Sequence, residues 1–333
     1  MQIFSIRQIS SPKIRWRIVF YYLRDMERRF TTYAQYLRRA TGLERVQKIS
    51  VDAGFTCPNR DGTISTRGCA FCRNDAFTPR YCSGTRDIRR QIDEGIAFHA
   101  RRGRTADGYI AYLQSYSNTY APVDELARIY ARALSHPSVA GLIIGTRPDT
   151  IDDEKLDMIA DLARHRYVAI EYGIESTCDA TLEALGRGHD FAASRRAVEA
   201  AASRGIAVGG HFILGLPGED SASILRGTAD IARMPLSSIK LHRLQILRST
   251  PLEALWLAEP QRFVSWTAEQ YIDLVADIIR RLPANIAIER IISEVPPHYL
   301  ANRCWHGLRS GTLWAMLDRR MRQLDAHQGD MLG

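Results

Sequence analysis

Cys57, Cys69 and Cys72 stand in a C-x11-C-x2-C spacing within KISVDAGFTCPNRDGTISTRGCAFCRNDAF, residues 48–77, directly after a short apolar stretch that reads as a strand. A structural zinc or a fully thiolate-held iron–sulfur cluster takes four protein ligands, so three thiolates at one strand end leave one metal position open to a small molecule. The C-x2-C half lets two thiolates bind one cluster. Cys57 has to be carried back to them by the intervening loop, which is rich in turn formers: Pro58, Asn59, Asp61, Gly62 and Gly68. A zinc ribbon with a distant fourth ligand, or three unrelated buried thiols, would use the same residue types. Cys82, Cys178 and Cys304 are isolated; Cys82 is near enough in sequence to act as a substitute ligand, although a lone cysteine is commonly a small buried hydrophobe.

DAGFTCPNRDG followed by RGCAFC resembles the cluster-binding segment of radical S-adenosylmethionine (SAM) proteins of the YtqA/YhcC type, relatives of the catalytic subunit of the elongator complex. The commonest spacing in that superfamily is C-x3-C-x2-C, and the widened first gap is the form of this branch. The resemblance covers roughly Arg29 to the C-terminal helix. It implies a [4Fe-4S] cluster on Cys57, Cys69 and Cys72, with SAM chelating the open iron through its amino and carboxylate groups. One-electron cleavage of SAM would then give a 5′-deoxyadenosyl radical that abstracts hydrogen from a substrate. A separate low-potential electron donor of flavodoxin or ferredoxin type is implied as well.

Short apolar runs alternate with amphipathic stretches along the chain in the rhythm of repeated βα units. Strands are expected near 48–54, 108–114, 139–145, 167–173, 206–214 and 238–246, and helices near 87–102, 123–135, 152–165, 190–204 and 220–233. Asp87, Pro122 and Asp152 supply start signals for three of these helices. Six βα units make a parallel α/β sheet, either doubly wound or an open barrel, and periodicity does not separate the two. The resemblance selects a partial (β/α)6 TIM-type barrel. Beyond it, 267–281 reads as an amphipathic helix, 285–292 as a strand and 311–326 as a basic helix. The expected organisation is a basic N-terminal arm over 1–47, a barrel over 48–250 and a small C-terminal α/β extension over 251–333 that packs on the barrel. Relatives of this type begin near RFTTYAQYL, which makes Met26 an alternative start and 1–25 a mis-assigned stretch. No length is left for an acetyltransferase domain like that of the elongator subunit, and Cys304 alone does not make a second cluster.

Barrel folds build their sites at the C-terminal ends of the strands. After the second strand comes QSYSNTYAP, with Gln114, Ser115, Asn118 and Thr119; it resembles the family's own version of the segment that holds the methionine amine of SAM. GTRPD follows the third strand, and its Arg147 could clamp a carboxylate or phosphate bidentately or pair with Asp149 to fix the turn. EYGIEST places Glu171 and Glu175 at the fourth strand end, where relatives carry a Gln-bearing segment that the resemblance assigns to SAM ribose; Glu175 departs from it. LGRGHD, with Arg187 and His189, also resembles the family. HFILGLPGED is close to the superfamily's G-x-I-x-G-x-x-G-E with His211 in place of the first glycine, and Gly215 and Gly218 permit close backbone approach to a flat ring, the adenine side in the family. Lys240, His242, Arg248 and Thr250 on and after the sixth strand could reach a substrate, although a lone strand histidine such as His242 is more often a satisfied interior residue and carries no assignment.

The chain of 333 residues is 45% hydrophobic and 25% charged, enough for a large core, and no run of 18 apolar residues marks a membrane span. Six cysteines in this length do not form a disulfide framework, which together with the missing signal-peptide pattern points to a reducing, cytoplasmic setting and no membrane partner. The formal charge of +8 is uneven: residues 1–48 hold eleven Lys/Arg against three acids, and the remainder is balanced at 34 against 34. Interleaved with Trp16, Phe20, Tyr21, Tyr22, Phe30, Tyr33 and Tyr36, these cations could track a phosphate backbone and stack on bases, or form a solvated arm. With the elongator kinship this points to tRNA as substrate, at a wobble uridine side chain. Radical chemistry on a small metabolite or protein side chain, which requires a narrow mouth that is not basic, and a non-catalytic zinc or iron–sulfur nucleic-acid-binding module are the alternatives.

Overall fold

The computed structural model describes residues 28–302, 305 and 308–332. Among these residues seven strands form one sheet: β1 (Val46–Val51), β2 (Gly108–Leu113), β3 (Val139–Thr146), β4 (Tyr167–Glu175), β5 (Ala207–Leu214), β6 (Ser238–Arg243) and β7 (Ala287–Arg290). Spatial order equals chain order and every pairing is parallel. Each strand therefore joins its predecessor through a crossover, and the sheet curls into a partial barrel whose open edges are β1 and β7. Runs such as VAGLIIG in β3 suit this place, because a parallel strand with helices outside and a lumen inside is buried on both faces.

The crossover helices are α2 (Ile88–Ala100), α3 (Val123–Leu134), α4 (Asp153–Ala163), α6 (Phe191–Ser203), α7 (Ser221–Arg233) and α9 (Ala268–Arg280); α1 (Tyr33–Thr41) precedes the barrel and α10 (Ser310–Gln323) follows it. Their starts are fixed by side-chain caps. Asp87 accepts from Arg89 N and Arg90 N, Asp152 from Lys155 N, and Asp190 from Ala193 N, while Thr267 with Gln270 closes a capping box. Leu126 and Tyr130 of α3, Leu156 and Ile159 of α4 and Tyr271 and Val275 of α9 pack in one core with the outward faces of the strands. Two short helices in the loops, α5 (Asp179–Ala184) and α8 (Pro251–Ala258), lie outside the expected pattern. No helix among the described residues is long and apolar enough to cross a membrane.

The strand read at 285–292 is β7, and it pairs with β6, so the sheet continues to a seventh strand beyond the six βα units expected. The first strand ends at Val51, because Asp52 turns the chain by accepting from Gly54 N at 2.9 Å. The sixth stops at Arg243 and leaves Leu244 and Gln245 to the cavity wall described below.

The described part of the basic arm is built into the fold. Thr32 bridges Ile288 of β7, α1 touches both open edges of the barrel, and Phe30, only 4% exposed, stacks on Trp314 of α10. Tyr33 and Tyr36 stack on each other beside Tyr167, and Arg29, Arg45 and Lys48 are held by Asp325, Asp107 and the Glu171/Glu289 pair. Phe30 and Tyr33 are thereby buried within the fold and Tyr36 is half-buried; Trp16, Phe20, Tyr21 and Tyr22 lie outside the described residues.

Truncating Leu126, which is fully buried, to Ala lowers stability by about 2–5 kcal/mol through the cavity left behind. Leu257→Ala, at a side chain 69% exposed, stays within about 0.5 kcal/mol. Urea unfolding of both variants checks the pair.

Candidate functional site

The three cysteines meet at the C-terminal end of the barrel because the loop after β1 is folded on its own backbone. Arg60 N and Asp61 N donate to Cys57 O at 2.7 and 3.2 Å, Ile64 N to Pro58 O at 2.8 Å, and Gly68 N to Asn59 O at 2.7 Å. Cys72 N closes the C-x2-C turn on Cys69 O at 2.9 Å, and Ala70 N ties it to Leu185 O at 2.9 Å. Gly68 has φ +75°, and a Cβ there would stand 3.3 Å from the Arg60 guanidinium, so glycine both permits the turn and lets Arg60 lie across it.

Donors from three segments converge on the sulfurs. Asn59 Nδ2 and Arg187 Nη1 reach Cys69 Sγ at 3.2 and 3.3 Å, with Arg147 Nη1 at 4.0 Å, and Arg60 Nη2 reaches Cys72 Sγ at 3.4 Å. Burial pushes the Cys72 thiol up, and Arg60 opposes it. Cys82 is elsewhere: it bonds to Ser50 O at 3.0 Å, and burial raises its thiol to about 12, as suits a structural residue. Cys178 is exposed and Cys304 lies outside the described residues.

Cys57, Cys69 and Cys72 share one cavity of about 270 Å³ with residues from strand ends around the barrel, including Gln114, Arg147, Glu175, Ile213, Leu244 and Ser293. Zinc takes thiolates at about 2.3 Å, yet among the described residues no three His, Cys, Asp or Glu side chains gather at single-ion spacing. Three thiols on one cavity wall, two of them met by cationic donors, fit a cluster with an open corner.

Beneath the cavity the lumen holds a charge network. Lys48 Nζ bonds to Glu171 Oε1 and Glu289 Oε1, both at 2.7 Å; Lys240 Nζ bonds to Glu171 Oε2, to Glu289 at 3.3 Å and to Tyr112 OH at 3.2 Å. His211 Nε2–H donates to Glu171 Oε2 at 3.0 Å, and His242 pairs with Ser293 Oγ. Burial alone would raise the Glu171 carboxyl, but Lys240, Lys48 and His211 hold it well below the usual carboxylate range. Burial and then Lys240 push His211 down; burial, His211 and Arg290 push His242 well down. Both imidazoles are neutral at pH 7, and their rings lie 5.4 Å apart.

Of the residues singled out in the sequence, Gln114, Arg147, Glu171, Glu175, Arg187, His211, Lys240 and His242 line the cavity with the cysteines. Glu175 ends β4 at φ +71°, and burial raises its carboxyl while Arg187 and Arg147 oppose that rise. Asn118, Thr119, Asp149, Gly215 and Gly218 are not part of its lining. Asn118 Nδ2 binds the carbonyls of Leu113, Ser115 and Gly145, and Thr119 joins a buried hydroxyl triad with Thr146 and Thr150. Asp149 grips Arg147 in a fork at 2.9 and 2.7 Å, so the turn-fixing pair is formed while the far nitrogen of Arg147 still points at Cys69. Gly215 packs on the Trp266 indole, where a Cβ would stand 2.9 Å away, and Gly218 N donates to Arg262 O. Sequence reasoning missed Lys48, Glu289, Arg243 and Arg290, and read Asn59 only as a turn former. The available signal was a charged residue inside an apolar strand, which has to find a partner.

Residues 61–226 match the Radical SAM superfamily and residues 236–323 the Radical_SAM C-terminal domain. YhcC of Escherichia coli (strain K12) is 34% identical over 293 residues, 87% of this chain and 91% of that protein. YtqA of Bacillus subtilis (strain 168) is 31% identical over 308 residues, 90% of this chain and 91% of its own length. A tRNA uridine(34) acetyltransferase of Dehalococcoides mccartyi (strain CBDB1) is 24% identical over 185 residues, 55% of this chain but 39% of that protein. Among solved structures, archaeal Elp3 of Methanocaldococcus infernus superposes with a TM-score of 0.63 at 15% identity over 85% of this chain and 64% of that one, a likeness of fold.

Glu171→Gln leaves the buried Lys240 and the half-buried Lys48 short of a carboxylate charge and costs about 3–5 kcal/mol at pH 7. The Glu171 carboxyl titrates lower folded than unfolded, so its share of stability is complete above the ordinary carboxylate range and lost as pH falls through the depressed value. The variant therefore has a flatter stability profile on the acid side, read by chemical unfolding at pH values from 7 downward. Arg45→Ala, at an exposed pair with Asp107, leaves the unfolding midpoint close to wild type, because solvent screens the pair.

Proposed function

The chain belongs to the radical SAM superfamily, in the branch of YhcC and YtqA, and from that premise we propose that it is a tRNA-modifying enzyme acting on the side chain of a wobble uridine, with Cys57, Cys69 and Cys72 as its cluster ligands. Proteins of this superfamily bind a [4Fe-4S] cluster and SAM, which on one-electron reduction supply a carbon radical that abstracts hydrogen. A low-potential donor of flavodoxin or ferredoxin type delivers the electron.

The sign of the cavity wall carries the RNA reading. Arg60, Arg147, Arg187, Lys240, Arg243 and Arg290 line it, against Glu171 and Glu175. Glu171 is already neutralised by Lys48 and Lys240, and Glu175 sits beside Arg187 and Arg147. Arg243, stacked on Trp305 at 4.5 Å, and the exposed Arg290 have no carboxylate partner among the described residues. A wall of this sign suits a polyanion and works against the small-metabolite reading, which requires a mouth that is not basic. The relative named as a tRNA uridine(34) acetyltransferase supports the same substrate class.

The chain's own residues have separable tasks. The 57–72 loop buries Cys69 to 5% exposure and keeps water from it. Gln114, Arg147, Glu175 and His211 face the space beside the thiols, where SAM is to be oriented. Because His211 donates through Nε2 to Glu171, its Nδ1 is left as an acceptor at the cavity for a base N–H. Arg243 and Arg290 take the phosphates flanking that base.

Anaerobic reconstitution followed by dithionite and SAM should yield 5′-deoxyadenosine, and Ala at Cys57, Cys69 or Cys72 should abolish it; full turnover in any one of these variants removes the ligand assignment. For the substrate, tRNA affinity should fall steeply with salt, and R243Q/R290Q should weaken binding and flatten the slope of log K against log[salt] by about 1.5. Absent or salt-independent tRNA binding rejects the RNA reading.

A further inference from the structure

Two of the three thiols accept hydrogen bonds from side chains, and the donors are mostly cations. Cys69 takes Asn59 Nδ2 at 3.2 Å and Arg187 Nη1 at 3.3 Å, with Arg147 Nη1 at 4.0 Å; Cys72 takes Arg60 Nη2 at 3.4 Å. Each donor is anchored by other bonds. Arg187 Nη2 donates to Gly173 O, Arg147 is forked on Asp149 and donates to Arg187 O at 2.6 Å, Arg60 Nη2 also holds Cys72 O at 3.0 Å, and Asn59 Nδ2 holds Gly186 O at 2.7 Å. Asn59 is fully buried, and Arg187 and Arg147 are 5% and 4% exposed. Cys57 Sγ accepts no side-chain donor among the described residues.

We propose that Arg187 and Arg60, together with Asn59, set the reduction potential of the cluster held by Cys57, Cys69 and Cys72, making it easier to reduce than three bare thiolates would. Reduction adds one electron to a group surrounded by thiolate charge. Hydrogen bonds to the sulfurs withdraw part of that charge, and a guanidinium in a low-dielectric wall stabilises the added electron further. The bonds are unequal, two or three on Cys69, one on Cys72 and none on Cys57, so the irons at Cys69 and Cys72 are favoured to carry the added electron. These are positioning residues: they act on the potential through the cysteine sulfurs. The inference rests on the ligand assignment proposed above.

The test is a potentiometric titration of the reconstituted, SAM-free protein, read by the EPR signal of the reduced cluster. Arg60→Gln and Arg187→Met, each with wild-type iron and sulfide content, should shift the midpoint to more negative values by at least a tenfold change in the reduction equilibrium, about 59 mV for one electron. Arg60→Lys, which keeps the charge without the fork, should fall between. Midpoints equal to wild type in variants with full clusters overturn the proposal. Should Arg187→Met load poorly because a buried cation was removed, Arg60→Gln, nearer the surface, decides the matter by the same criterion. Failure of the ligand assignment looks different: iron content would survive in C69A or C72A, whatever the midpoints.

Discussion

Glu171 lies at the centre of the lumen, and the way its charge is held decides how an open barrel can be closed. Its two oxygens gather Lys48 from β1, His211 from β5 and Lys240 from β6, and both lysines reach on to Glu289 before β7 ends. β1 and β7 share no backbone hydrogen bonds, so side-chain charge and α1 bridge the gap that pairing leaves. A carboxylate 1% exposed is tolerable only because both oxygens have charged or polar donors. That requirement fixes the relative heights of the strands more sharply than apolar packing, which accepts many swaps of similar volume.

On that floor the cavity divides by charge. The side toward β3 and β4 carries the thiols with Arg147, Arg187 and Glu175, whose charges are engaged with one another or with sulfur. The side toward β6 and β7 carries Arg243 and Arg290 with no carboxylate partner among the described residues. His211 and His242 stand between the two, both kept neutral by burial and neighbouring cations. One half is complete in itself, and the other is complementary to an anion.

Much of this could be read in the chain because the constraints were local. Asp87 and Asp152 mark helix starts through caps that span three residues, and α2 and α4 begin at the next residue. The cysteine spacing was readable because metal chemistry fixes how many thiolates must meet. What stayed hidden depends on distance in space. Lys48, Glu171, Lys240 and Glu289 are charges set within strands, with partners many residues away. β7 is four residues long, and its place beside β6 follows from tertiary packing, which no periodicity records. Asn59 and Arg60, between Pro58 and Asp61, look like ordinary turn residues, and their reach to sulfur appears only once the loop has folded over Gly68. Asn118 and Thr119 have the polarity of ligand residues but spend it on neighbouring carbonyls and hydroxyls.

The strict agreement between strand order and chain order has a consequence for biosynthesis. The thiol loop leaves the ribosome early, whereas Ser293 and the edge strand that complete its cavity follow more than two hundred residues later. At translation rates of about 5–20 residues per second the nascent thiols wait on the order of ten to forty seconds without their finished enclosure.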